Sequence, residues 1–91
     1  MMNNADDVAR LEMEIGLRDA DRGLAVIRAQ IVEMDAAIHK AWELVRAGRL
    51  EADVLEAGQE MRAELARLLV TAEEAAAELR SMYADLIAEG S

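Results

Sequence analysis

The sequence contains no cysteine and no proline, and its aromatic residues are one Trp and one Tyr. Without cysteine the chain forms neither disulfides nor thiolate metal sites. Without proline, no position forces a helix to break for want of a backbone N–H group. The apolar content is therefore Ala, Leu, Val, Ile and Met, a composition typical of packed helices. These absences predict an all-α protein.

Long apolar runs and a basic leader are also missing. The longest apolar runs span a few residues, whereas about 20 are needed to cross a bilayer. The N-terminal stretch MMNNADDVAR has no basic start followed by an apolar core. The net charge of −9, from 19 acidic and 10 basic residues, disfavours direct contact with nucleic acid or anionic lipid. We therefore expect a cytoplasmic protein that binds neither nucleic acid nor membrane.

A heptad pattern fills the first half of the chain, with apolar residues at alternating spacings of four and three. The residues of this seam are Met13, Leu17, Ala20, Leu24, Ile27, Ile31, Met34, Ile38, Ala41 and Val45. Its phase runs unbroken through GLRDADRG, from Gly16 to Gly23, which predicts helix there. The alternative is a loop, with Gly16 as a C-terminal cap and a new helix from Asp19 or Asp21.

The strongest break in the pattern is RAGRLEAD, which begins at Arg46. Gly48 suits a left-handed helix terminus, and Arg46 complements the negative end of the helix dipole. Beyond it the same spacing resumes, through Val54, Gly58, Met61, Leu65, Leu68, Ala72, Ala75, Leu79, Met82 and Leu86. A second helix is therefore expected to follow a short turn.

Together the two seams predict a single domain over residues 1–91, an antiparallel two-helix hairpin that resembles a coiled coil. Helix 1 is expected over about 4–47, the turn over about 48–51 and helix 2 over about 52–89. A connection this short makes the helices antiparallel neighbours.

More apolar surface remains than one hairpin buries. A second stripe on helix 1 comprises Leu11, Ile15, Ala25, Ala29, Val32 and Ala36, and Leu55, Leu69, Ala76 and Tyr83 recur beside the seam of helix 2. An exposed apolar band of this kind marks a partner surface. The expected contact residues are Leu11, Ile15, Gly16, Gly23, Val32, Trp42, Leu69 and Tyr83. The two glycines would either admit a close helix or make helix 1 more flexible.

The simplest way to cover this surface is a homodimer of hairpins, which forms a four-helix bundle. The alternative is a helix from a different protein in the same position. The leading functional hypothesis is therefore a non-enzymatic interaction, adaptor or assembly protein that acts as a helical-hairpin oligomer.

Little in the chain points to catalysis. The only histidine is His39, and neither Ser81 nor Thr71 has a histidine within helical reach. Asp35, His39 and Glu43 lie four residues apart, whereas metal sites in helical bundles use a Glu-x-x-His spacing of three. We interpret these side chains as helical charge pairs, and we expect no enzyme activity, no cofactor and no bound metal.

The C-terminal part of helix 2 is strongly acidic, and only Arg80 offsets its charge. The acidic residues are Glu73, Glu74, Glu78, Asp85 and Glu89. This pattern supports a second functional hypothesis: an acidic inhibitor or nucleic-acid mimic, for example of phage type, that blocks a basic site on a partner.

The layout resembles the small secreted WxG-type helical hairpins, with similar size, Trp42 near the turn and Tyr83 late in helix 2. Their motifs are absent, because ELVRAG follows Trp42 and no acid lies four residues after Tyr83. On architecture alone, the chain also resembles small helical phage proteins that bind host machinery and the two-helix co-chaperones of bacterial secretion systems. The latter resemblance gives a third functional hypothesis, a small co-chaperone.

Overall fold

The computed structural model describes residues 4–90, and this part of the chain consists of two α-helices. Helix α1 spans Asn4–Arg46 (43 residues) and helix α2 spans Ala52–Gly90 (39 residues). The helices pack against each other as an antiparallel hairpin, so the predicted fold class is confirmed. α1 ends one residue before its predicted end, and α2 ends one residue after. Neither helix, within the described range, combines the length and apolarity that crossing a membrane requires.

The segment from Gly16 to Gly23 is helical throughout, and the alternative of a loop is wrong. Leu17 and Ala20 of this segment are half-buried, as the uninterrupted seam requires. Each glycine costs the helix up to about 1 kcal/mol relative to alanine. Apolar packing along the seam offsets that cost. A Cβ atom on either glycine would meet nothing within 4 Å, so the surface beside both is open.

The turn is closed by a Schellman motif around Gly48, whose φ is +70°. The Gly48 N–H donates to the Val45 carbonyl at 3.0 Å, and the Arg49 N–H donates to the Leu44 carbonyl at 2.8 Å. These bonds satisfy carbonyls that the end of α1 would otherwise leave without partners. The role predicted for Gly48 is therefore confirmed.

Replacing Gly48 by alanine is expected to lower the free energy of unfolding by about 1 kcal/mol, because a Cβ atom strains left-handed backbone. Gly58→Ala is the matched control. Its Cβ would lie 3.6 Å from Ile38 Cγ1, an ordinary contact, so the helix gains up to about 1 kcal/mol. Urea unfolding followed by circular dichroism measures both changes. Equal effects of the two substitutions would contradict the special role of Gly48.

The packing divides into two compact units, each of which contains part of both helices. The turn unit comprises residues 25–70, and the described part of the terminal unit comprises residues 4–24 and 71–90. Ile31 and Leu55 are buried in the turn unit. Leu24 and Ala76 are buried in the terminal unit. Each unit therefore has a very small core.

All ten predicted seam residues of α1 are buried or half-buried, which confirms this seam. The predicted seam of α2 is wrong at every second position. The predicted seam residues that are exposed are Val54, Met61, Leu68, Ala75 and Met82. In each case the next residue along the chain is buried or half-buried instead, and these are Leu55, Arg62, Leu69, Ala76 and Tyr83. The other five members, Gly58, Leu65, Ala72, Leu79 and Leu86, are half-buried as predicted. Because the other five positions stay in the seam, α2 is rotated relative to the prediction by about half of the angle between successive residues.

Polar contacts across the hairpin accompany this register. The Arg62 Nε atom donates to Asp35 Oδ1 at 2.8 Å. The Tyr83 hydroxyl donates to Glu14 Oε1 at 2.7 Å. Ala76 is 0% exposed, since its small side chain suits a tightly packed position. The two possible stripes of α2 are similarly apolar, and these specific contacts favour one of them.

Candidate functional site: an apolar groove in the turn unit

An open groove of about 560 Å³ lies between α1 and α2 in the turn unit. We call it the turn groove. Its lining residues are Gln30, Glu33, Met34, Ala37, Met61, Glu64 and Leu65. Met34 and Leu65 come from the two seams, while Gln30 and Ala37, seven residues apart, lie on one flank of α1. The turn groove therefore exposes the margin of the hairpin's own apolar packing.

The α2 side of the turn unit is bordered by a row of large apolar side chains. Val54, Met61 and Leu68 recur every seven residues and are 50%, 57% and 51% exposed, respectively. We call these three residues the α2 edge. They are the residues that the sequence pattern assigned to the seam, and the rotation of α2 places them in solvent. An exposed apolar row of this kind is typical of a helix with a second contact face.

The opposite flank of the turn unit is bridged by a polar contact. Asp35 and Arg62 form a cross-helix ion pair there, with Arg62 half-buried over the seam. Trp42, seven residues after Asp35, lies on the same flank of α1 and is exposed. The turn unit is therefore asymmetric, with one flank bridged by an ion pair and the other open and apolar.

The terminal unit carries its own cross-helix contacts. The Arg80 guanidinium pairs with Asp21, and the Tyr83 hydroxyl donates to the Glu14 carboxylate. The hydrogen bond to Glu14, together with partial burial, raises the pKa of Tyr83 above its ordinary value of 10.0. Arg80 was expected to offset the acidic cluster of α2, but its ion pair is with α1.

Glu14→Gln is expected to lower the pKa of Tyr83 toward 10.0, because the charged acceptor of the hydroxyl proton is removed. In the wild type the folded protein holds this proton more tightly than the unfolded chain. The stabilisation is thus complete below the unfolded pKa and is lost as pH rises through the folded value. Absorbance titration of the tyrosinate measures the shift. An unchanged titration curve in the variant would show that Glu14 does not control this hydroxyl.

The contact residues predicted from the sequence are scattered over several surfaces. Five of the eight are exposed, namely Leu11, Ile15, Gly23, Val32 and Trp42. The other three, Gly16, Leu69 and Tyr83, are half-buried. None of these eight lines the turn groove. Leu69 and Tyr83 lie on the α2 face that packs on α1, so part of their surface is used within the hairpin. The exposed apolar surface on α1 was foreseen, but the turn groove was not.

The sequence pattern of Asp35, His39 and Glu43 does not assemble as one cluster. His39 Nε2 lies 3.3 Å from Glu43 Oε1, the helical pair that was expected. Asp35 is bound to Arg62 of α2 instead. Within residues 4–90, no group of three or more His, Cys, Asp or Glu side chains is placed to hold a metal ion.

The acidic cluster of α2 faces solvent. Exposed side chains are found at all five of its positions, Glu73, Glu74, Glu78, Asp85 and Glu89. This arrangement is compatible with a solvated helix face and with contact to a basic surface.

Compared with protein-family models, with curated proteins and with solved structures, the chain matches none of them.

Proposed function

We propose that this protein is a non-enzymatic assembly protein whose hairpins pair through the turn groove into a dimeric four-helix bundle. The observation that carries the proposal is the asymmetry of the turn unit. One flank is bridged by Asp35 and Arg62, and the other leaves Met61 and Leu68 about half exposed beside an apolar groove. Helical bundles bury such flanks against neighbouring helices.

The total surface supports a second copy as the occupant. The accessible surface is 6920 Å², whereas compact monomers of 10.0 kDa expose about 5,200 Å². The excess is about 1,700 Å², which is roughly twice the 800 Å² that each partner buries in a standard interface. A dimer therefore has ample surface to bury without any change in the hairpin itself.

The turn unit contains both surfaces that a two-fold contact requires, the α2 edge and the turn groove. In such a dimer the α2 edge of each copy lies in the turn groove of the other, so the same surface serves both partners. Met61 and Leu68 are two turns apart, a distance of about 10.5 Å. Gln30 and Ala37 on the groove flank have the same separation. Completing the burial of each large side chain contributes about 1 kcal/mol.

The test is the absolute mass in solution, measured by light scattering over a concentration series. We expect twice the 10.0 kDa mass of the chain. Met61→Glu places a charge inside the contact and is expected to give a monomer, since a buried unpaired carboxylate costs several kcal/mol. Gln59→Glu adds the same charge to an exposed site that does not line the turn groove, and we expect this control to remain dimeric.

A well-folded wild-type monomer at every concentration would overturn the proposal. So would a dimer that Met61→Glu and Gln59→Glu weaken equally, because the contact would then lie elsewhere. Circular dichroism of each variant establishes that the hairpin is intact.

The second candidate function is an acidic inhibitor that occupies a basic site on another protein. The five exposed carboxylates from Glu73 to Glu89 support it, as does the net charge of −9. Salt distinguishes the two candidates. A complex held by these carboxylates weakens steeply by 1 M salt, where screening acts over about 3 Å, while an apolar dimer persists. The co-chaperone hypothesis stays a prediction based on architecture.

A further inference from the structure

We infer that the turn groove also accepts a basic amphipathic helix of another protein, in competition with the second copy. The inference rests on the proposed function, because both occupants use the turn groove as a docking site for a helix. It adds the chemistry of a heterologous partner, namely an apolar stripe flanked by Lys or Arg.

Charge at the margins of the groove supports a basic partner. Glu33 of α1 and Glu64 of α2 line the turn groove. An adjoining depression on α2 is lined by Glu60, Glu64 and Arg67, among other residues. Arg67 is the one cation among the residues that line these two surfaces, and its guanidinium is paired with Glu64. Carboxylates therefore border the apolar floor on both helices.

The dimensions of the floor suit a short helix. Gln30 and Ala37 mark two helical turns along α1, and the floor between them and α2 includes Met34 and Leu65. Partner helices commonly anchor in such grooves through apolar residues at i, i+3 or i+4, and i+7, which also span two turns. Cations beside those anchors would lie near Glu33 and Glu60.

Electrostatics favours this partner over a second copy at low salt. A second copy has the same acidic margins and the same net charge of −9, so pairing places like charges together. A basic helix reverses the sign of this interaction. Binding of the basic helix is therefore expected to weaken as salt rises, whereas the dimer is expected to become tighter.

The experiment uses a fluorescent amphipathic peptide with Leu at i, i+3 and i+7 and Lys at the flanking positions. A second peptide has Glu in place of each Lys. Anisotropy measures binding, and light scattering of the same samples measures the mass of the complex. We expect the Lys peptide to bind at least about tenfold more tightly than the Glu peptide. We also expect it to convert the dimer into a complex of one peptide with one protein chain.

A matched pair of variants separates the groove from the general charge of the protein. Glu33→Gln with Glu60→Gln removes one carboxylate that lines the turn groove and one that lines the adjoining depression. Glu74→Gln with Glu78→Gln removes two carboxylates on the terminal unit. The first pair is expected to weaken binding of the Lys peptide about fivefold, and the second to change it less than about twofold.

The outcomes distinguish this inference from the dimer. Equal weakening by the two pairs of variants would overturn it, because attraction would then be nonspecific. A dimer that excess Lys peptide leaves intact would also overturn it, and the proposed dimer would stand. A monomer that binds the Lys peptide with the expected variant pattern would overturn the dimer and retain the basic-helix site.

Discussion

Leu55→Ala is expected to lower the free energy of unfolding by about 2–5 kcal/mol, the largest change we predict for truncation of one side chain. Leu55 is 8% exposed and is one of two buried side chains in the turn unit. Leu55 also occupies one of the two positions of a hydrophobic staple at the start of α2. The other position, on the far side of Glu51, is Leu50, which is half-buried. The loss is large relative to the 5–15 kcal/mol that typical domains have in total.

The control for Leu55→Ala is its neighbour, Val54→Ala. Val54 is exposed, so its truncation is expected to change stability by no more than about 0.5 kcal/mol. Both are measured by urea unfolding in the Met61→Glu background, in which association is not expected to contribute. If Val54→Ala were the more damaging of the two, the packed face of α2 would be the one that the sequence pattern predicted.

Ala76→Leu is expected to lower the free energy of unfolding by about 1–3 kcal/mol, because a larger side chain overfills a packed position. Ala76 is fully buried in the terminal unit. Leucine and alanine have similar helix propensities, so the loss would come from packing and not from the helix itself.

The matched control is Ala77→Leu, the same substitution at the adjacent, exposed residue. It is expected to change stability by less than about 0.5 kcal/mol. Thermal unfolding followed by circular dichroism compares the two. Ala76→Leu with the stability of the wild type would indicate that α2 approaches α1 less closely than its burial implies.

The fold was largely predictable because its signals are local. The seam of α1 has one apolar stripe at the required spacing, and Gly48 marks the turn by its backbone chemistry. The register of α2 was not predictable, because two neighbouring stripes are similarly apolar. Arg62 illustrates the difficulty, since apolar periodicity gives no reason to place an arginine beside the seam. Its partner Asp35 lies 27 residues away in the sequence.

The candidate site was missed for the same reason. Met61 and Leu68 were assigned to the interior of the hairpin, so the groove that they border could not be anticipated. The exposure of Leu11 and Val32 on α1 was predicted, because these residues lie opposite an unambiguous seam. Locating a surface between two helices requires the rotation of both, and the sequence determined only that of α1.

The left-handed backbone of Gly48 has a consequence for how chains could be exchanged. It is the only residue with positive φ between residues 4 and 90, and it lies in the turn that reverses the chain direction. A helical conformation at the turn would join α1 to α2 as one continuous rod. Two such rods, side by side, would recreate the pairing of α1 with α2 between chains, as in a domain-swapped dimer. Gly48 is thus the position at which the backbone of a hairpin and that of a swapped rod would differ.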